Sequence, residues 1–156
     1  MERCFSCGAK TLGASTLQHQ IRLGGSVFRV TLDALECASC GESSVDGPLL
    51  ARAELEVAAR LAASGFASGQ AFRFMRKALG LRAADVAALL AVRAETVSRW
   101  ETGRTAVDRG AFAALAAMVT DQLGARTTTR DVLRALQRPV RAPRRISLDL
   151  SQRREG

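Results

Sequence analysis

The sequence predicts an α+β fold: a small N-terminal β-hairpin module with one helix, followed by an all-α domain. Three observations carry this. Two Cys-x-x-Cys-Gly pairs, Cys4/Cys7 and Cys37/Cys40, bracket two strand-like runs joined by Gly24 and Gly25. From Gln70 onward the apolar residues recur at helical spacing, with glycines where helices should end. Within that half, Leu81 to Gly103 holds two short helical patterns separated only by Ala91 to Arg93. A turn that short forces its two helices to cross steeply.

The 156 residues suffice for one or two small domains, and 47% apolar content allows real cores. Aromatic residues make up only 4%, so helices should pack through small side chains. The net charge of +8 is unevenly spread. Met1 to Ser68 carries 6 Lys/Arg against 7 Asp/Glu, whereas Gly69 to Gly156 carries 17 against 8. A basic second half suits contact with a polyanion. No apolar run approaches a membrane span, and MERCFSCG lacks the apolar core of a signal peptide, so the expected location is the cytoplasm, with no membrane partner.

In a reducing compartment four cysteines argue for metal rather than disulfides. Tetrahedral zinc takes four thiolates, and each Cys-x-x-Cys lets one tight turn supply two of them. Cys4, Cys7, Cys37 and Cys40 are therefore the expected ligands of one structural Zn2+ per chain, with Gly8 and Gly41 easing the backbone after each second ligand. The expected strands are Gln18 to Leu23 and Ser26 to Leu32, and folding them together returns the second pair to the first. His19, the single histidine, is expected on the strand surface rather than at the metal. Four protein ligands leave no open position for a catalytic water, so no enzymatic activity is expected. Thiol redox chemistry, the alternative, needs one reactive pair at a helix start.

Gly47 and Pro48 precede a helix over Leu49 to Ala63, striped by Leu50, Ala53, Val57 and Leu61. SGFASG, Ser64 to Gly69, is small and glycine-rich and reads as a hinge. The second module should hold helices near Gln70–Leu79, Ala83–Leu90, Ala94–Thr102 and Arg109–Leu123, and a short one near Thr129–Gln137. The division is then residues 1–65 as a zinc-binding module, 66–69 as a linker, 70–124 as a helix-turn-helix domain, and 125–156 as a short helix and a basic, largely flexible tail. The alternation in RISLDL, Arg145 to Leu150, is the one feature of that tail able to add a strand to an open sheet edge.

TVSRWETG resembles the recognition helix of phage-repressor-like, Xre-type helix-turn-helix domains, in which the second helix enters the DNA major groove. The order CxxCG, CxxCGE, linker and Xre-type domain, over about Arg3 to Gln122, is similar to the MqsA-type antitoxins with their YgiT-type zinc finger. That resemblance implies a homodimer whose zinc module neutralises an mRNA-cleaving toxin while the helix-turn-helix binds double-stranded operator DNA and represses the shared operon. It places Glu95 and Arg99 at the base-reading positions, with Thr96 beside them on the recognition helix, and pairs Arg76 of the first helix with Glu101. Glu95 stands where that family often has asparagine, a departure that puts adenine preference in doubt and makes cytosine possible. Ala91 stands where glycine is usual in the turn. Arg82 and Arg93 replace the usual Ser or Thr caps and are candidates for phosphate contact, as are Lys77 and Arg104. The alternative is a free-standing zinc-containing regulator with no toxin, which shares every motif.

Overall fold

The computed structural model describes residues 3–124, 129–137 and 144–151. In chain order the elements are β1 (Leu12–Leu23), β2 (Ser26–Cys37), β3 (Ser43–Ser44), α1 (Gly47–Ser64), α2 (Gly69–Ala78), α3 (Ala83–Leu89), α4 (Ala94–Glu101), α5 (Arg109–Gln122), α6 (Thr129–Gln137) and β4 (Arg145–Asp149). The α+β reading holds, with three of the four strands at the cysteine-bearing end of the sequence, the helices after them, and the fourth strand returning to the same sheet after the last helix.

The hairpin is longer than its apolar pattern suggests. β1 and β2 pair antiparallel over all twelve residues, from Leu23↔Ser26 at the turn to Leu12↔Cys37 at the cysteine end. Residues Leu12 to Leu17, LGASTL, are poor strand formers taken alone. They are extended because each lies opposite a residue of β2. Gly24 and Gly25 both have positive φ, at 55° and 85°, the conformation that lets a two-residue turn follow the twist of the strands.

β2 is the centre of the sheet. One edge is taken entirely by β1; the other is shared by β4, parallel along Val27 to Thr31, and by β3, antiparallel at Leu35 and Glu36. β4 corrects the expectation of a largely flexible tail. Its register sets Ile146 against Phe28 and Leu148 against Val30, so the alternating apolar residues meet the inner face of the sheet and Leu148 is buried. An open strand edge and a matching period-two segment supplied both halves of that pairing. Residues 125–128, 138–143 and 152–156 of the same tail lie outside the described residues.

One hydrophobic core joins sheet and helices. Phe28, Val30 and Leu32 of β2 cluster with Val57 and Leu61 of α1, Phe72 and Met75 of α2, Phe112 and Leu115 of α5, and Val132 and Leu136 of α6. α1 touches β2, α2, α5 and α6, and so ties the cysteine-bearing hairpin to the helical layer. The glycine-rich SGFASG segment owes two of its small residues to this packing. A Cβ on Gly65 would lie 2.3 Å from the Ala135 carbonyl oxygen, and one on Gly69 would lie 1.9 Å from that of Trp100. Gly69, assigned to the linker by composition, starts α2, with Ser68 as its cap accepting from the Ala71 N–H at 3.1 Å.

Candidate metal centre and nucleic-acid interface

The two Cys-x-x-Cys-Gly segments fold into the same knuckle. In the first, Gly8 N–H donates to Cys4 O at 2.9 Å and Cys4 N–H to Ala9 O at 2.8 Å; in the second, Gly41 N–H donates to Cys37 O and Cys37 N–H to Glu42 O, at 2.8 and 2.9 Å. Gly8 and Gly41 have φ of 74° and 73°, where a side chain would be strained. The β1–β2 ladder sets these knuckles face to face. All four Sγ atoms lie within 4.8 Å of one another, with Cys4–Cys40 at 3.6 Å and Cys7–Cys37 at 3.7 Å. A tetrahedral zinc with bonds of about 2.3 Å sets sulfur–sulfur edges of about 3.8 Å. The spacing fits that ion, and it is far beyond the roughly 2 Å of a disulfide.

The charge chemistry of the set also fits a cation. The Thr11 hydroxyl donates to Cys37 Sγ at 3.4 Å, and together with the Ser39 backbone N–H it draws that thiol down to about 6. Cys40 goes the other way, to about 12: the Glu42 backbone N–H favours its thiolate, but the crowding of Cys7, Cys4 and Cys37 and the loss of water outweigh it. Four sulfurs this close cannot all carry charge without a cation among them. A bound zinc would make thiolates of all four and tie the start of the chain to the end of β2. Thr11 was not singled out by the motif. It lies on neither knuckle, and only the register brings it to Cys37 and to Ser39 Oγ, 2.7 Å away.

The helical layer places α3 and α4 as two short helices joined at Leu90 to Arg93. Ala91 is left-handed, with φ of 52°, the single non-glycine residue with positive φ among the described residues. Its N–H bonds to Ala88 O at 3.2 Å, and the next N–H, of Val92, reaches back to Ala87 O at 2.9 Å, closing α3 in a Schellman turn. The same two-bond pattern closes α2 at Gly80 and α4 at Gly103. α4 is then held from beneath. Val97 and Trp100 are buried, and Trp100 meets Phe72 edge to face at a ring separation of 5.6 Å. Glu101 anchors its last turn by a two-point ion pair to Arg76, Nε–Oε1 2.5 Å and Nη2–Oε2 3.0 Å.

With that side fixed, the other side of α4 faces water. Glu95 and Arg99 lie exposed one turn apart, Thr96 is half-buried next to them, and Arg93 is exposed at the start of the helix. Arg104 is exposed just past the end of α4, and Lys77 in the last turn of α2. Arg82 is exposed but engaged: its guanidinium grips Asp85 at 3.0 and 2.8 Å, and the Asp85 carboxylate also reaches back to accept the Arg82 backbone N–H at 2.8 Å, the acidic half of a capping box. Arg73 had no place among the candidates read from sequence. It is an exposed cation on α2, 4.0 Å from Glu101, and its position one turn ahead of Arg76 and Lys77 is the signal that marks it.

His19 does not join the metal centre; it stands half-buried opposite Val30, well along β1 from the cysteines. No helix among the described residues is long and apolar enough to cross a membrane. The comparison with curated proteins and the comparison with solved structures find no match. A family model described as a helix-turn-helix domain matches residues 69–119, from the start of α2 through most of α5. The chain therefore carries a helix-turn-helix domain, preceded by a four-cysteine centre built to hold a metal ion.

Proposed function

We propose that this protein is a dimeric, sequence-specific DNA-binding transcription repressor, with α4 as the reading helix and a structural zinc at Cys4, Cys7, Cys37 and Cys40. The observation that carries the proposal is the two-sidedness of α4. Val97, Trp100 and Glu101 fix it to the core, and Glu95 and Arg99 project one turn apart from the opposite side. An arginine so placed in a major groove makes two hydrogen bonds to a guanine edge, and a glutamate accepts from cytosine. Arg104, Lys77, Arg93, Arg82 and Arg73 supply phosphate contacts around it. Binding, not catalysis, is the activity of this reading; stoichiometric zinc with no titratable thiol in the native protein is the result that would support it.

The test is binding of Arg99→Ala and Arg104→Ala to a duplex selected from a random pool and to a scrambled one, across a salt series. Arg99→Ala should lose about 1–3 kcal/mol on the selected duplex and little on the scrambled one. Arg104→Ala should weaken both alike and lower the salt slope by about one ion. Equal losses on both duplexes from Arg99→Ala refute base reading by this residue.

The finer reading is that the repressor is the antitoxin of a type II toxin–antitoxin pair. The resemblance of the motif order to MqsA-type antitoxins supports it, as does an apolar feature at the zinc knuckle. Phe5 is fully exposed between two ligands, beside a cleft of about 280 Å³ lined by Leu12, Leu35, Arg3 and Glu42. An aromatic side chain held out by a rigid knuckle is the kind of anchor a protein partner buries. Co-expression with an mRNA-cleaving toxin encoded beside it is the experiment. Phe5→Asp should free the ribonuclease while leaving DNA binding intact; a chain with no such neighbour is the free-standing regulator.

A further inference from the structure

Among the described residues, β1 is a strand edge with none of the usual protection. It runs twelve residues without a bulge or a proline, and its sequence, LGASTLQHQIRL, carries one formal charge, Arg22, near one end. Among the described residues β1 pairs with β2 alone. Native edge strands of this length are kept apart by lysines, prolines, bulges or covering elements, because a row of free N–H and C=O groups templates another strand. The other exposed edge of this sheet, on β2, is covered by β4 and β3.

The register tells which groups are free. The two-residue turn makes Leu23 and Ser26 exchange hydrogen bonds, so the odd-numbered residues of β1 from Gly13 to Leu23 bond to β2. The bond from Ala38 N–H to Thr11 O at the far end keeps the same alternation. Leu12, Ala14, Thr16, Gln18, Gln20 and Arg22 therefore point their N–H and C=O groups outward. On the inner face, Leu17 stands opposite the fully buried Leu32 yet is only half-buried itself.

We propose that β1 pairs antiparallel with β1 of a second copy, two-fold about Leu17, to make one continuous sheet across the dimer. This register sets Leu12, Ala14 and Thr16 against Arg22, Gln20 and Gln18 of the second copy, and the reverse. Every outward N–H and C=O of the strand is then bonded. Leu17 meets its own equivalent on the inner face and completes its burial. Each Arg22 falls opposite a leucine at a far end of the pair, so the two arginines never meet. The two-fold axis runs perpendicular to the sheet, which leaves both helical layers on the same side of it. This last point rests on the DNA-binding reading, since a dimeric repressor needs its two reading helices on one face of the duplex. The strand pairing itself does not.

The zinc-loaded chain of 156 residues tests this by its mass in solution. The wild type should sediment at twice the chain mass of 16.6 kDa. Gln18→Pro removes an outward N–H that β2 does not use and should reduce the mass to one chain while zinc content and circular dichroism stay as in wild type. Thr16→Lys with Gln18→Lys, which brings four ammonium groups together without touching the backbone, should do the same, and Gln18→Ala should leave the dimer whole. Under mild oxidation Leu17→Cys should cross-link to itself and Ser15→Cys, two residues away on the same face, should not. A monomeric wild type, a dimer that survives both Gln18→Pro and the double lysine variant, or cross-linking at Ser15→Cys instead of Leu17→Cys overturns the proposal. Loss of DNA binding with the β1 dimer intact overturns the repressor reading and leaves this one standing.

Discussion

Arg76 and Glu101 hold α4 to α2, the first helix of its domain. The Arg76 guanidinium gives two hydrogen bonds to the Glu101 carboxylate and a third, at 2.7 Å, to the Leu81 carbonyl in the turn after α2. Both side chains are about nine-tenths buried. Glu101→Ala strands the arginine charge away from water, and removing one partner of such a pair costs about 3–5 kcal/mol. Urea unfolding monitored at Trp100 measures it; a loss under about 1 kcal/mol would show that the pair contributes little.

Ala91 carries strain that glycine would relieve. Its φ of 52° costs about 1–2 kcal/mol in an L-residue, against up to about 1 kcal/mol for the extra freedom glycine has when unfolded. Ala91→Gly should therefore raise stability by about 0.5–1 kcal/mol, seen as a melting temperature a few degrees higher. An unchanged or lower melting temperature would mean that α3 ends in some other conformation.

Gly69 is the opposite case. A methyl group there has no room 1.9 Å from the Trp100 carbonyl, and the listener on the other side of the clash is the last turn of α4. Gly69→Ala should destabilise by about 1–3 kcal/mol and weaken DNA binding as well, because α4 must move to admit it. Gly25→Ala has open space around it and strains only its own turn, so it should leave DNA affinity unchanged.

Asp85 should stay ionised unusually far into acid. The Arg82 side chain, then the Arg82 backbone N–H, hold its carboxyl at about 2, below the ordinary value of 3.8. A pKa depressed on folding contributes stability above the unfolded value, and that contribution is lost as pH falls through the folded one. Wild type should therefore exceed Asp85→Asn in stability by a constant margin above pH of about 5, narrowing from there toward about 2. A margin that does not change between pH 6 and 3 in paired thermal melts, roughly the span in which an unfolded aspartate titrates, would refute the cap.

Metal removal should act locally. The four sulfurs join the first residues to the Cys37 end of β2, but Phe28, Val30 and Leu32 sit in the common core with α1, α2 and α5. Chelation or Cys37→Ser should free the amides near Cys4 to Thr11 and Cys37 to Glu42 to exchange while those of Phe28 to Leu32 stay protected. Loss of protection throughout β2 would mean that zinc, not the apolar core, holds the hairpin.

Spacing and periodicity alone made much of this molecule legible. Two CxxCG pairs imply a shared ion because tight turns are local, and the five helices after Gly69 announce themselves because a 3.6-residue stripe is a property of neighbouring residues. The exposure of Glu95 and Arg99 follows from the burial of Val97 and Trp100 on the same short helix. What depends on partners distant in sequence was decided by the tertiary structure. β1 extends to Leu12 only because β2 lies beside it, and Thr11 reaches Cys37 only through that register. Gly65 and Gly69 look like a flexible hinge in composition, but two carbonyls from other helices come too close for any larger residue. β4 becomes a strand because β2 offers it an edge and a core for Leu148. A local pattern records what a segment can do; which of those possibilities is taken depends on the surface it is folded against.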